Sequence, residues 1–113
     1  MRSLLILSII GISFTKSSST KCIATWYNMH GAKTASGEKM HRDSLTAAYN
    51  QAPFGTKLEI TNENNQEVCT VRVTDRMGNK TPNRIDLSYA AFGKIADHGQ
   101  GRINVKIREI YTK

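Results

Sequence analysis

The chain has 113 residues, of which 39% are hydrophobic and 22% are charged, a balance typical of one globular domain rather than a disordered segment. Two cysteines are too few for a disulfide-rich scaffold. The formal net charge of +7 favours a polyanionic partner, and charge alone does not choose among nucleic acid, anionic lipid and acidic wall polymers.

The first twenty residues predict a signal peptide. Arg2 supplies one positive charge, an apolar run extends from Leu4 to Phe14, and residues 16–20 are polar. The run is shorter than the ~20 apolar residues of a membrane-spanning helix. The alternatives are an uncleaved anchor and a buried strand. We expect residues 1–20 to be removed at an undefined cleavage position, leaving a secreted, periplasmic or cell-envelope protein with no stable membrane span.

The remaining sequence predicts mostly β-structure. Strand-forming residues occupy Ile23–Tyr27, and apolar and polar residues alternate over residues 57–61, 69–74 and 102–108. A period of two indicates strands that are buried on one face. The polar run Asn62–Gln66 between two of these strands predicts a hairpin turn. Trp26 and Tyr27 are neighbours, so they should face opposite sides of their strand, and one of the two is expected to lie in the core.

One helix is expected before the last strand. Ser88 can cap it, and Tyr89, Phe92 and Ile95 recur at helical spacing. The segment Asp97–Gly101 ends the helix, and a glycine at position 93 weakens the prediction. A short closed barrel with one helix fits the whole pattern better than a sandwich does.

Export makes Cys22 and Cys69 a candidate disulfide. The chain-entropy model assigns such a bridge a stabilisation of ~4 kcal/mol. Two alternatives stay open. Cys22 could carry a lipid anchor, although Lys21 argues against this because a small residue is expected there. Both thiols could instead be free and buried.

Three carboxylates are candidates for chemistry. Glu38 lies in a loop, Asp75 ends a predicted strand, and Asp86 lies between two apolar residues. A carboxyl group in a partly apolar place can have a raised pKa, as proton transfer to a glycosidic oxygen requires. Each also has an ordinary alternative role: Glu38 as a solvated loop acid, Asp75 as an arginine's ion-pair partner, and Asp86 as a helix cap or turn residue.

Several other chemistries lack their motifs. His30, His41 and His98 do not have metal-binding spacing. The sequence contains neither a serine-hydrolase elbow nor a phosphate-binding loop, and the cysteines lack the context of a nucleophile. We therefore expect no metal and no cofactor.

Six short segments, in order along the chain, resemble the rare lipoprotein A (RlpA) family, and the likeness covers nearly all of the chain after the predicted signal peptide. The segments are Ala24–Tyr27, Lys33–Glu38, Leu45–Ala48, Pro53–Thr56, Val71–Arg76 and Arg84–Ser88. The resemblance implies a mainly β fold over residues 22–111, namely a six-stranded double-psi β-barrel with one or two short helices. Residues 91–95 and 101–106 also resemble bacterial expansins, which share the barrel.

The family resemblance implies a lytic transglycosylase that prefers peptidoglycan strands without stem peptides. In such enzymes the muramoyl 6-hydroxyl attacks the anomeric carbon and leaves a 1,6-anhydro end without hydrolysis. By position, Asp75 and Glu38 match two acids of the family, and Asp75 is the expected acid/base. Two positions depart from the pattern. Tyr49 replaces a histidine, and a tyrosine with a pKa near 10 is a poor proton shuttle at neutral pH. The usual Asp-Arg-Gly-Pro turn is altered at residues 75–78.

The likeness to expansins implies a different class, a non-catalytic module that binds and loosens wall polysaccharide. Its matching polar positions are Thr25, Asp75 and Asp86. For the two classes together, the expected substrate-binding residues are Thr25, Tyr27, Tyr49, Arg76 and Asp86. We expect a monomer whose partner is peptidoglycan or another cell-wall glycan; export argues against nucleic acid. Release of anhydro-ended fragments would separate the enzyme from the binding module.

Overall fold

The computed structural model describes residues 18–78 and 82–111, so most of the predicted signal peptide lies outside the described residues. The described strands are β1 (Thr20–Tyr27), β2 (Thr46–Ala48), β3 (Lys57–Asn62), β4 (Val68–Asp75), β5 (Arg84–Ser88) and β6 (Ile103–Ile110). Helix α1 (Tyr89–Ile95) and a 3-10 turn (His98–Gln100) connect β5 to β6. No helix within the described ranges is long and apolar enough to cross a membrane.

The strands close into a barrel in the order β1–β5–β2–β4–β3–β6. Strand β1 runs parallel to β5 and β2 runs parallel to β4, whereas the other neighbouring pairs are antiparallel. The hairpin predicted at residues 62–66 joins β3 to β4, and Gln66 adopts a left-handed φ of 63° in its turn. The predicted six-stranded double-psi barrel with short helical segments is confirmed.

The barrel interior is filled by alternate side chains of the strands, because successive residues of a strand point to opposite faces. Leu58 and Ile60 of β3 are fully buried, as are Val71 and Val73 of β4. Ile85 and Leu87 of β5 join this interior, with Val105 and Ile107 of β6. The residues between them therefore project outward, where they are free to form a binding surface.

Helix α1 begins at the predicted cap. The Ser88 hydroxyl oxygen accepts a hydrogen bond from the N–H of Ala91 at 3.2 Å. Gly93 lies under the ring of His98, and a Cβ at position 93 would be only 2.7 Å from His98 Cε1. The glycine that weakened the helix prediction therefore permits the close packing of His98 on the helix.

The predicted disulfide is wrong, since Cys22 and Cys69 are both free and buried. Cys22 lies on β1 and Cys69 on β4, and two strands separate β1 from β4 in either direction around the barrel. Opposite strands of such a ring are roughly 10 Å apart, beyond the ~7 Å Cα separation that a disulfide tolerates. Burial raises the pKa of both thiols, that of Cys69 to about 11. The alternative of two free, buried thiols describes this structure.

Candidate active site

Two carboxylates lie on either side of Ala48, the last residue of β2. Ala48 pairs with Asp86 of β5 and with Asp75 of β4, and Thr25 of β1 pairs in turn with Asp86. Directly paired residues project from the same face, so Thr25, Asp86, Ala48 and Asp75 form one row on the outside of the barrel, here named the carboxylate row. The two aspartate Cα atoms are two strand spacings apart, roughly 10 Å, and only a methyl group lies between them.

A β-bulge in β4 places Asp75 in this row. Ala47 pairs with Val73, but Ala48 pairs with Asp75, so Thr74 is skipped in the register. Without the extra residue, strict alternation from Val73 would turn Asp75 into the apolar interior. The bulge therefore puts both carboxylates on the same outer face.

Two backbone N–H groups fix the orientation of Asp75. Its Oδ1 accepts hydrogen bonds from the N–H of Ala35 and from that of Arg76, each at 2.9 Å. The loop that contains Ala35 is itself attached to β4, because the N–H of Ser36 donates to the Thr74 carbonyl at 3.2 Å. The structure thus holds Asp75 from two directions, by its own strand end and by a separate loop.

Asp86 occupies the more enclosed end of the row. Its Oδ1 accepts a hydrogen bond from the Thr25 hydroxyl at 2.8 Å. Burial raises the pKa of the Asp86 carboxyl, and the negative charge of Asp75 raises it further, against the opposing effects of Thr25 and Arg84. Asp86 consequently keeps its proton to a higher pH than an ordinary aspartic acid does.

An open cleft of about 260 Å³ covers most of the row. It is lined by Tyr27, Met29, Met40, Ala48, Asp75, Arg76, Met77, Gly78 and Asp86. Tyr27 lies at its wall, with its hydroxyl 3.2 Å from that of Thr46. Trp26 points the other way and donates its indole N–H to the His98 carbonyl at 3.0 Å. Thus the two aromatic neighbours of β1 divide between cleft and helix packing.

Glu38 lies outside the carboxylate row. Its carboxylate accepts two hydrogen bonds from the Arg72 guanidinium, at 2.5 and 3.0 Å. These bonds lower the pKa of Glu38, so its side chain is an ionised partner of Arg72 rather than a protonated acid. The Thr34 hydroxyl donates a hydrogen bond to the backbone carbonyl of Glu38 at 2.9 Å. This bond closes the loop that supports Asp75.

The side chain of Tyr49 does not reach the cleft, contrary to the prediction that it binds substrate. It is 5% exposed and packs among the barrel core, because it follows the outward Ala48 and so turns inward. Burial and the neighbouring Cys22 raise its pKa to about 12. Its backbone does serve the site: the Tyr49 N–H donates to the Asp75 carbonyl at 3.0 Å, and its carbonyl accepts from Arg76 Nη1 at 2.8 Å.

Arg76 therefore lies at the cleft with a fixed geometry. Its guanidinium also stacks over the ring of Phe54, with 4.0 Å between Cζ and the ring centroid. Within residues 18–78 and 82–111, no three His, Cys, Asp or Glu side chains form a group able to hold a metal ion. The arrangement offers a proton donor at Asp86, an oriented carboxylate at Asp75 and a cation at Arg76.

Residues 19–107 match the model of a protein family described as "Lytic transglycolase". The chain belongs to this RlpA-like family. Among curated lytic transglycolase relatives, it is 43% identical over 88 residues to the probable endolytic peptidoglycan transglycosylase RlpA of Synechocystis sp., covering 75% of this chain and 27% of that protein. It is also 43% identical over 91 residues to the endolytic peptidoglycan transglycosylase RlpA of Campylobacter jejuni, covering 78% of this chain and 33% of that one. The chain spans about a third or less of these two relatives.

Solved structures of other proteins share the fold. The Streptomyces papain inhibitor superposes with a TM-score of 0.71 at 22% identity, over 83% of this chain and 96% of the inhibitor. A Clavibacter michiganensis expansin variant in complex with cellohexaose superposes with a TM-score of 0.69 at 21% identity, over 85% of this chain and 52% of the expansin. At these identities the likeness establishes the barrel alone.

Both carboxylates of the row are predicted from the sequence, but the features that position them are not. The three-residue strand β2 is too short to show periodicity, and the bulge at Thr74 leaves no mark in the alternation that precedes it. The alternation over residues 69–74 marks Arg72 only as an outward polar residue, although a cation on the outer face of β4 is the natural partner of a loop carboxylate such as Glu38.

Proposed function

We propose that this domain is an endolytic peptidoglycan lytic transglycosylase that acts on glycan strands without stem peptides and leaves 1,6-anhydro ends. The observation that carries the proposal is the carboxylate row, in which Asp75 and Asp86 flank Ala48 beneath an open cleft. Membership of the lytic transglycolase family and the names of its relatives support the reaction class.

Asp86 is the proposed proton donor. Its raised pKa keeps a population of protonated carboxyl available to the glycosidic oxygen as the bond to the anomeric carbon breaks. The resemblance gave the acid/base role to Asp75, whereas burial favours Asp86 for the donating half of that role. The Thr25 hydroxyl directs the Asp86 carboxyl and leaves its second oxygen for substrate.

Asp75 is the proposed base and electrostatic partner. Its carboxylate would stabilise the positive charge that develops at the anomeric carbon and accept the proton of the attacking muramoyl 6-hydroxyl. One proton is given to the leaving oxygen and one is taken from the 6-hydroxyl, so no water is consumed. The bonds from Ala35 and Arg76 keep Asp75 in place during both steps.

Binding is assigned to Tyr27 and Arg76, with Thr25 acting through Asp86. Tyr27 offers an aromatic face and a hydroxyl to a sugar ring, and Arg76 offers donors to sugar hydroxyls. Glu38 is proposed to support Asp75 through its loop instead of transferring a proton. The proposed setting is the cell envelope, with export directed by residues 1–20, the domain over residues 22–111, no nucleic-acid partner and a monomeric state.

A wall-loosening module without turnover is the second candidate. It is favoured by the ion pair of Glu38 with Arg72, which removes one of the two predicted acids from proton transfer. Because the side chain of Tyr49 lies in the core, residue 49, where the family has a histidine, contributes no side chain to the cleft. Under this alternative the same cleft binds wall polysaccharide and the carboxylates only hydrogen-bond to it.

The two candidates are separated by products. The domain and its Asp75→Asn, Asp86→Asn and Glu38→Gln variants are incubated with peptide-free glycan strands, and the products are analysed by mass spectrometry. We expect anhydro-ended fragments from the unaltered domain, none above background from either aspartate variant, and reduced but measurable release from Glu38→Gln. Asp43→Asn is the matched control, since its carboxylate is exposed and does not line the cleft. Wall binding without fragments from any protein would support the module instead.

A further inference from the structure

A second, larger cavity lies on the outer face of β1, beyond the end of the carboxylate row. It has a volume of about 510 Å³ and is rich in cations and amides. Its lining consists of Lys21, Cys22, Ile23, Glu63, Pro82, Asn83, Arg84, Arg102 and Asn104. None of these residues belongs to the cleft described above, and the proposed reaction leaves the cavity without a role.

The cavity and the row are linked by strand β5. Arg84 lies two residues before Asp86, so both side chains project from the same face, with Cα atoms roughly 7 Å apart. Arg84 pairs with Ile23, and Ile23 pairs with Asn104, which gives the cavity a floor that continues the row's own strands. A ligand lying along the barrel could therefore fill both places at once.

Arg84 has an unsatisfied donor at this place. Its Nε is buried and has no hydrogen-bond partner within the described ranges. A buried donor of a charged group is costly to leave unpaired, and this guanidinium belongs to a residue that lines the cavity. The planar guanidinium is suited to carboxylate and phosphate oxygens.

The charges around Arg84 also favour an anion. Lys21 and Arg102 line the same cavity, and Glu63 is the single acidic residue among its lining. No ion pair within the described ranges joins any of these three cations to a carboxylate. Three cations facing one carboxylate leave a positive field inside a concave surface, where a bound anion is attracted most strongly.

We propose that the Arg84 cavity is a subsite for the lactyl carboxylate of an N-acetylmuramoyl residue. This inference rests on the proposed function and names the feature of the glycan that the domain would select. The lactyl group bears a free carboxylate only when no stem peptide is attached, because the peptide converts that carboxylate into a neutral amide. An amide cannot replace a charge in the cationic cavity, and the attached peptide would also have to fit there. The cavity would thus discriminate against peptide-bearing strands.

The test measures binding rather than cleavage. The Asp75→Asn protein, which is expected not to cleave, is titrated with a peptide-free muramoyl oligosaccharide and with the same compound whose lactyl carboxylates are converted to methylamides. Calorimetry gives the affinities, and backbone NMR shifts show where each compound binds. We expect the free acid to bind at least about tenfold more tightly, as one charge-assisted hydrogen bond allows, and to shift the signals of Ile23 and Asn104.

Variants assign the preference to the cavity. Adding Arg84→Gln should reduce the preference to within about twofold, whereas Lys106→Gln, which removes an exposed charge outside the lining, should leave it intact. If Arg84→Gln does not fold, the exposed pair Lys21→Gln and Arg102→Gln takes its place, and the preference should fall there too. A lost preference in Lys106→Gln as well would indicate general attraction and overturn the subsite.

The remaining outcomes are also decisive. Equal affinity for acid and amide would overturn the inference while leaving glycan binding in place. Failure to bind either compound would overturn the proposed function itself. A further outcome is that glycerol phosphate shifts the backbone NMR signals at the cavity while the free-acid oligosaccharide leaves them unchanged. That result would assign the cavity to a phosphate polymer and contradict the lactyl assignment.

Discussion

The exchange Asp86→Asn tests the proposed proton donor with little disturbance of the fold. Asparagine has nearly the same shape, and its amide oxygen can still accept the hydrogen bond from Thr25 that Asp86 accepts at 2.8 Å. What it removes is the transferable proton. Loss of a positioned general acid lowers the rate by about 10²- to 10⁴-fold, equivalent to about 3–5 kcal/mol in the activation free energy. The assay is the initial rate of anhydro-end release from peptide-free strands.

The stability of the same variant relative to the unaltered domain should rise between acid and neutral pH. Because the folded pKa of Asp86 is raised above its unfolded value, the folded state binds its proton more tightly. The contribution of Asp86 to stability is therefore greatest below the unfolded pKa of about 3.9 and falls as the pH rises through the folded pKa. Asparagine does not ionise, so this fall is absent in the variant.

Denaturant unfolding of both proteins at pH 4 and pH 7 checks this sign. The difference in unfolding free energy should move in favour of Asp86→Asn between pH 4 and pH 7. A rate within threefold of the unaltered domain, or a stability difference that moves the other way with pH, would refute the reasoning about Asp86.

Three further predictions concern the core. Maleimide labelling of the unfolded, unreduced domain should modify both Cys22 and Cys69, and reductant should leave the melting temperature unchanged. Failure of the maleimide to label the two cysteines before reduction would support the disulfide instead. Gly93→Ala should lower the unfolding free energy by about 1–3 kcal/mol despite alanine's higher helix propensity, because the new Cβ meets His98 at 2.7 Å, and unchanged stability in denaturant would contradict that packing. Tyr49→Phe should retain the rate of glycan cleavage within about threefold, since the ring lies in the core; a loss as large as that of a general acid, about a hundredfold, would place the hydroxyl in the reaction.

The barrel was accessible from the sequence because most of its strands are buried on one face only. Alternation in residues 57–61, 69–74 and 102–108 marks inward and outward positions directly, and the structure has strands there. The helix cap at Ser88 was equally predictable from the sequence, since a serine directly before a helical pattern commonly caps the helix N-terminus. Strand order and closure came from the family resemblance, because alternation carries no information about which strands are neighbours.

The candidate site was only partly accessible for the same reason. Asp75 and Asp86 were recognised as acids at strand positions, but their separation by Ala48 depends on pairings between β4, β2 and β5, which are far apart in sequence. Tyr49 was misplaced because a local motif does not say which face its residue takes. The disulfide was misplaced because two inward cysteines can lie on opposite walls of a barrel.

In the proposed reaction the domain breaks the glycan by internal transfer to the muramoyl 6-hydroxyl. The most direct measurement is mass spectrometry of the products that it forms from peptide-free strands in water enriched in heavy oxygen. Internal transfer predicts new ends that are one water lighter than hydrolysis products and that carry no heavy oxygen. New reducing ends that contain the heavy oxygen would contradict it by showing hydrolysis, and intact strands that remain bound to the domain would show a binding module.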